Sequence, residues 1–144
     1  LIDAIISRLK ADVAEFGGRV QGALELGALI ANGSVPTTTP AAFVIPGGII
    51  GGAAQAVAGG YIQGTEDVVQ VVIALRTHQA TGKSGIDPLK ALIDATLASL
   101  CGWRAAPEAP GVLTLQRAAM VSMTAGLVVY QIDLSIQNQL RIAR

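Results

Sequence analysis

Two spacings of apolar residues alternate along the 144-residue chain. Residues 1–16 and 87–100 repeat apolar side chains at helical spacing, which predicts two amphipathic helices. Gly17-Gly18 should end the first helix and Gly102 the second, while Asp87-Pro88 is a typical cap and first turn for the second. Residues 25–33 predict a third, shorter helix.

The other spacing is that of strands. Short apolar or β-branched runs predict strands over residues 19–24, 41–45, 66–76, 112–122 and 127–140. In the last run, apolar residues at 130, 132, 134 and 136 alternate with polar ones, which indicates a sheet buried on one face. We therefore predict an α+β fold: one domain over residues 1–144, with a mostly antiparallel four- to five-stranded sheet and two main helices packed on one face.

A glycine-rich segment separates two of these strands. Residues 47–60 hold six glycines and no charged residue. Ordering glycine costs backbone entropy, and its missing side chain contributes little burial in return. The sequence predicts a mobile loop here, forming a long, flexible hairpin arm.

Charge is scarce and balanced. Ten Lys and Arg match ten Asp and Glu, so no basic field gathers nucleic acid. With 14% charged and 51% hydrophobic residues, the composition predicts extra surface that is buried against copies of the chain itself or against other proteins. Residues 26–65 carry no charge at all, yet Pro46, the glycine pairs and the lack of close Lys or Arg flanks argue against a membrane span. We expect a soluble chain with no membrane partner.

Few residues of the sequence are candidates for a catalytic, nucleotide-binding or metal-binding site. Gly82-Lys83-Ser84 resembles part of a phosphate loop, but the earlier glycine is missing and the predicted helix begins several residues too late. His78 is the sole histidine, and Cys101 is the sole cysteine, so neither a histidine pair for a metal nor a disulfide is available; Cys101 should belong to the core. Asp94 lies four residues after Lys90, which predicts a surface ion pair. We predict no enzyme, no cofactor and no metal.

Several runs together resemble the tail terminator (tail completion) proteins of long-tailed phages and Mu-like prophages. The order is "PAAFVIP", a glycine-rich arm, "EDVVQVVIALR", "DPLKALIDATLASLCGW", a proline loop and "YQIDLSIQNQL", and it covers nearly the whole chain. The resemblance implies a virion protein that forms a homohexameric ring at the head-proximal end of the tail. Its implied partners are copies of itself, the tail tube protein and the head-completion or neck proteins, with DNA only as non-specific cargo through the lumen.

The predicted arm and two polar strand positions are the candidate contacts with neighbouring subunits or the tube. Asp133 is an odd charge on a polar strand face, which either a subunit contact or solvent explains. Two other classes stay open: another phage joint protein, such as a head–tail connector or tube subunit, and a small cytosolic enzyme or ligand-binding domain. The candidate interface residues are Gly47, Gly48, Ile49, Ile50, Gly51, Gly52, Val57, Tyr61, Asp133 and Gln137.

Overall fold

A computed structural model describes residues 1–31, 36, 38–76, 86–124 and 126–144, with only the backbone at 86, 87 and 124. Three helices and five strands form an α+β fold, as predicted. A single 3₁₀ turn, Ala14–Phe16, follows the first helix. The elements in chain order are α1 (Ile2–Asp12), β1 (Val20–Gly22), α2 (Ala23–Ala31), β2 (Ala41–Val57), β3 (Gly60–Arg76), α3 (Ile86–Leu100), β4 (Thr114–Thr124) and β5 (Leu127–Ala143).

The five strands form one mixed sheet in the order β1-β2-β3-β5-β4. Short β1 pairs in parallel with Ala42–Val44 of β2, and the other three pairings are antiparallel. β3 is the centre, since it is paired with β2 on one side and with β5 along all of its length on the other. β2, β3 and β5 each have 17 residues, so they form a three-stranded ribbon much longer than β1.

The first face of the sheet carries the core. Helices α1 and α3 bury their apolar stripes against alternate residues of the three long strands, because side chains two apart in a strand point to the same face. The predicted stripes are confirmed at Ile5 and Leu9 of α1 and at Leu89, Leu92 and Leu100 of α3. On the sheet side, the core includes Ala42, Val44, Val69, Val71, Ile73, Val128, Ile132, Leu134 and Ile136.

Arg8 fastens α1 to the end of α3. Its Nε donates to the Ser99 carbonyl oxygen at 2.7 Å, and its guanidinium carbon lies 4.4 Å from the centre of the Trp103 ring. Asp12 completes the group, since it accepts from Ser99 Oγ at 2.7 Å and pairs with Arg8 at 3.5 Å. Gly102, at φ +81°, ends α3 as predicted, in a left-handed conformation that suits glycine.

The second face of the sheet carries α2 at one end. Leu26 and Leu29 of this helix lie over Phe43 and Val72. Farther along β5 the same face becomes polar, with Gln131 donating to Asp133 Oδ1 at 2.9 Å. Ser135, predicted to be on the polar face, is instead buried and accepts a hydrogen bond from Gln116 Nε2 at 2.7 Å.

The prediction of a loop over residues 47–60 was wrong for most of its length. Residues 47–57 continue β2, and only Ala58 and Gly59 form the turn into β3. The backbone of residues 48–57 pairs with β3, and β5 pairs with the other edge of β3. The hydrogen bonds of these ladders offset the backbone entropy that the glycines lose on ordering. The register between β2 and β3 shifts at two places, between Pro46 and Gly48 and between Gly51 and Ala54, as β-bulges do.

Candidate subunit interface

The long strands continue past the helices as a bare ribbon. The last buried residues toward this end are Val69 in β3 and Ile136 in β5. Beyond them lies what we call the extension: residues 48–57 of β2, 60–67 of β3 and 137–143 of β5. At about 3.3 Å per residue, it projects roughly 30 Å from the core.

Apolar side chains on the extension face solvent. Residues 48–59 are all exposed, including 73% of Ile49, 57% of Ile50 and 64% of Val57. Pairing through the three strands holds the backbone of this segment, with one irregularity between Gly51 and Ala54, while its side chains stay largely exposed. Residues 48–57 expose these apolar side chains and have no charged residue, which is typical of a surface that another protein covers.

Most of the predicted interface residues lie together here. Ile49, Ile50, Gly51, Gly52, Val57, Gly48 and Tyr61 are in the extension, with Gly47 directly at its base. Tyr61 donates from its hydroxyl to Gln63 Oε1 at 2.7 Å, which fixes the ring near the tip. At Gly47 a Cβ would lie 2.8 Å from Val68 Cγ1, so only glycine fits without a shift.

The two polar candidates, Gln137 and Asp133, lie in different parts of the structure. Gln137 lies opposite Glu66 at the base of the extension and lines a surface cavity of about 610 Å³ together with Ile50 and Pro110. Asp133 lies four residues nearer the core, opposite Gln70 and Arg117. The structure therefore groups Gln137 with the extension and leaves Asp133 outside it.

A second bare apolar surface lies at the other end of the sheet, on α2. None of the nine residues of this helix is buried, and 87% of Leu24 and 69% of Ile30 are exposed. Below the helix is a cavity of about 260 Å³ between α2 and the second face of the sheet, which we call the socket. Its lining is apolar: Leu26, Leu29, Ile30, Pro36, Phe43, Val72, Ala74, Leu127 and Val129.

Comparison with known families identifies the chain. The sequence matches the phage tail terminator protein family over residues 2–144. The chain belongs to the phage tail terminator family. It is thus a structural protein of a phage-type tail, as the sequence resemblance implied.

The structure has the fold of a known virion protein. It is similar to a chain from the virion of a native gene transfer agent particle, with a TM-score of 0.51 and 19% identity over 97% of this terminator and 95% of that chain. At that identity the likeness shows the fold alone. A search of curated protein sequences finds no match.

Chemical groups in the described part of this terminator are few and mostly paired. No group of three or more His, Cys, Asp or Glu that could hold a metal is found among the described residues, and His78 and Gly82-Lys83-Ser84 lie outside them. None of the described helices is long and apolar enough to span a membrane. Lys90 and Asp94 form the predicted ion pair at 3.1 Å.

Cys101 is exposed, so its predicted place in the core was wrong. It follows the last residue of α3, where the chain turns at Gly102 toward the surface. Partial desolvation raises the pKa of its thiol, and a backbone hydrogen bond at Leu115 lowers that pKa by less. A thiol with a raised pKa is less ionised at neutral pH, which makes it a poorer nucleophile.

Sequence reasoning missed two apolar surfaces. One is α2 with Leu24 and Ile30, and the other is strand β4, where Met120, Val121 and Met123 are exposed. A signal for the first was present, because α2 has apolar residues all round and Glu25 as its one charge. A helix of that kind is normally buried on every side, so exposure in a single subunit points to an assembly.

Proposed function

We propose that this terminator forms a homohexameric ring that caps the head-proximal end of the tail tube. The ring ends polymerisation of the tube and presents the surface to which the head–neck proteins attach. DNA passes through its lumen as non-specific cargo. In this proposal the chain works through binding surfaces alone and catalyses no reaction.

The extension is the observation that carries the proposal. Its β2 part, residues 48–57, has no charged residue and leaves Ile49, Ile50 and Val57 more than half exposed among the described residues. Exposing such side chains is unfavourable in water, since covering apolar surface gains roughly 25 cal/mol per Å². The free-energy cost of this exposure would disappear if neighbouring subunits cover these side chains.

The outer edge of β2 supports a docking role. Strand β1 pairs with Ala42, Phe43 and Val44 alone, so residues 48–57 have no partner strand on that side among the described residues. Proteins usually protect such edges with charge, and this one has none. We propose that docking on the last ring of the tube adds a strand at this edge, which makes capping depend on a finished tube end.

A different phage joint protein is the alternative. A tube subunit would also need exposed edges, but its contacts would repeat without limit and give long cylinders. A head–tail connector would bind the head before any tube is present. The terminator proposal predicts closed rings that bind tube ends, so the three differ in what they assemble with and when.

Tube polymerisation tests the proposal. Purified tail tube subunits from the same phage are polymerised with increasing amounts of this protein, and tube lengths are measured by negative-stain electron microscopy. We expect shorter tubes with a ring at one end. Unchanged lengths with binding to heads would favour a connector, and incorporation along the whole tube would favour a tube subunit; either result contradicts the terminator role.

A further inference from the structure

The two bare apolar surfaces lie at opposite ends of the same strands. The socket is beside Phe43 near the start of β2, and the tip of the extension is at Val57 at its end. Val57 follows Phe43 by 14 residues, a distance of more than about 40 Å in a strand. Because that segment is held straight by pairing with β3, a subunit cannot fold its own tip into its own socket.

The socket is suited to receive an apolar side chain. Its cavity of about 260 Å³ is lined by carbon from α2 and from the second face of the sheet, and α2 covers it without burying any residue of its own. Leu24 and Ile30 remain exposed on the helix. Among the described residues this cavity is unfilled, so it can take an apolar side chain from another molecule.

The tip of the extension has the matching shape and chemistry. Val57 is 64% exposed and pairs with Gly60, and the turn contains Ala58 and Gly59. The small neighbours make the tip narrow, and no charged residue occurs from 47 to 65. An isolated apolar group on a narrow, uncharged hairpin can enter an apolar cavity without desolvating a charge.

The charged residues nearby are also compatible. Arg141 of β5 and Arg144, which directly follows that strand, lie beside the tip, and Arg144 N donates to the Gly59 carbonyl oxygen at 3.1 Å. Near the socket, Glu25 is the one charge of α2, and Arg76 is held by the Pro36 carbonyl oxygen at 3.3 Å. The uncharged hairpin turn is therefore flanked by two arginines, whereas α2 carries an acid.

We propose that the extension of one copy docks on α2 of the next copy, with Val57 entering the socket. The inference rests on the proposed ring and specifies the contact that builds it. Because the two surfaces differ and lie at opposite ends of the chain, the contact is head-to-tail, the kind that closes into a ring when its rotation permits. The identical contact then repeats around the ring.

Two variants that each break one half of the contact test this directly. Val57→Asp places a carboxylate at the tip, and Ile30→Asp places one at the socket; both positions are exposed, so thermal unfolding should stay that of the wild type. Each variant alone should lose ring formation, with a subunit affinity weaker by about 100-fold or more. Val112→Asp, at an exposed position in the segment before β4, is the matched control and should form rings normally.

Mixing the two variants gives the decisive result. One partner keeps an intact socket and the other an intact tip, so a one-to-one mixture should form dimers with one chain of each kind and nothing larger, as measured by native mass spectrometry. The proposed contact would be wrong if the wild type forms rings and either variant alone does so too, or if the mixture gives no dimer. Neither result would contradict the proposed ring itself. Failure of the wild type to form rings, with or without tubes, would overturn the proposed function itself.

Cross-linking provides a second measurement that does not depend on the aspartates. In a Cys101→Ser background, Val57→Cys with Ile30→Cys should oxidise into a ladder of covalent oligomers that ends at the ring size. A Val112→Cys, Ile30→Cys control should give no ladder. Rings that form without a cross-link between positions 57 and 30 would contradict the docking of tip into socket.

Discussion

The body of the subunit and its extension share three strands but differ in what their side chains bury. In the body, Ile73 and Ile132 are completely buried beneath α1 and α3. In the extension, Ile49 and Val57 on the same ribbon are mostly exposed, and glycine and alanine replace most of the β-branched residues. One continuous sheet therefore has a part that is packed beneath helices and a part whose side chains stay exposed, and in our proposal the exposed part binds neighbouring subunits.

Different forces hold the two regions. The body gains its stability from apolar burial, whereas the extension depends on backbone pairing across three strands. A ladder without a covered face is marginal in water, and β5 on the far side of β3 supplies the third strand that makes it regular. The extension should therefore open locally at a lower free energy than the body.

Removing the β2–β3 hairpin of the extension should have the largest effect on assembly and little on the fold of the body. Ile50 and Glu66 lie directly opposite each other, so replacing residues 51–65 by Asn-Gly closes a short hairpin there. We expect a folded monomer that neither forms rings nor shortens tubes. Circular dichroism measures whether the variant is folded, and tube lengths measure whether it caps tubes. Ring formation or normal capping by this variant would contradict the claim that the extension serves assembly and the body serves folding.

One substitution at two sites should separate the regions by stability. Ile73→Ala removes buried side-chain volume from the body and should cost about 2–5 kcal/mol of unfolding free energy. Ile49→Ala removes the same atoms from an exposed position and should change it by less than about 0.5 kcal/mol. Urea denaturation of monomeric protein compares them, and equal losses would mean that the extension is packed as the body is.

The α1–α3 junction should contribute less than the core but more than a surface ion pair. Arg8→Ala loses a charged hydrogen bond to Ser99 and the contact with Trp103, which together should cost about 1–3 kcal/mol. Lys90→Ala breaks an exposed pair and should cost less than about 1 kcal/mol. Denaturation midpoints check the ranking, which a larger loss at Lys90 would reverse.

Two glycines provide the finest comparison. A Cβ added at Gly64 in the extension would meet nothing within 4 Å, so Gly64→Ala should stabilise the extension by about 0.4–1 kcal/mol through the unfolded chain. Gly47 at its base faces Val68, and Gly47→Ala should loosen the strands there. Hydrogen exchange at residues 60–66 should slow in the first variant and quicken in the second; the opposite order would refute the argument.

The body could be predicted largely from the sequence. Ile5, Leu9, Leu89 and Leu92 recur at helical spacing, and Ile132, Leu134 and Ile136 alternate, because each pattern matches an element that buries one face. Pairing partners are non-local, however. Nothing in a local pattern shows that β1 joins in parallel or that Ser135 has Gln116 as a partner.

The extension and the socket could be predicted only in part. The charge-free glycine-rich run pointed to a contact segment, and the resemblance placed it in a tail terminator, but local entropy favoured a loop over residues 47–57. Residues 47–57 form a strand because β3 is paired along its whole length with β5, which lies far along the chain from them. The exposure of Leu24 and Ile30 also depends on tertiary position, which composition cannot give.

The mass of the protein in solution tests the central claim most directly. Light scattering over a concentration series, with negative-stain images of the same samples, should give rings of about six subunits, or monomers that become rings when tube ends are added. A monomer at every concentration that ignores tubes would contradict the account.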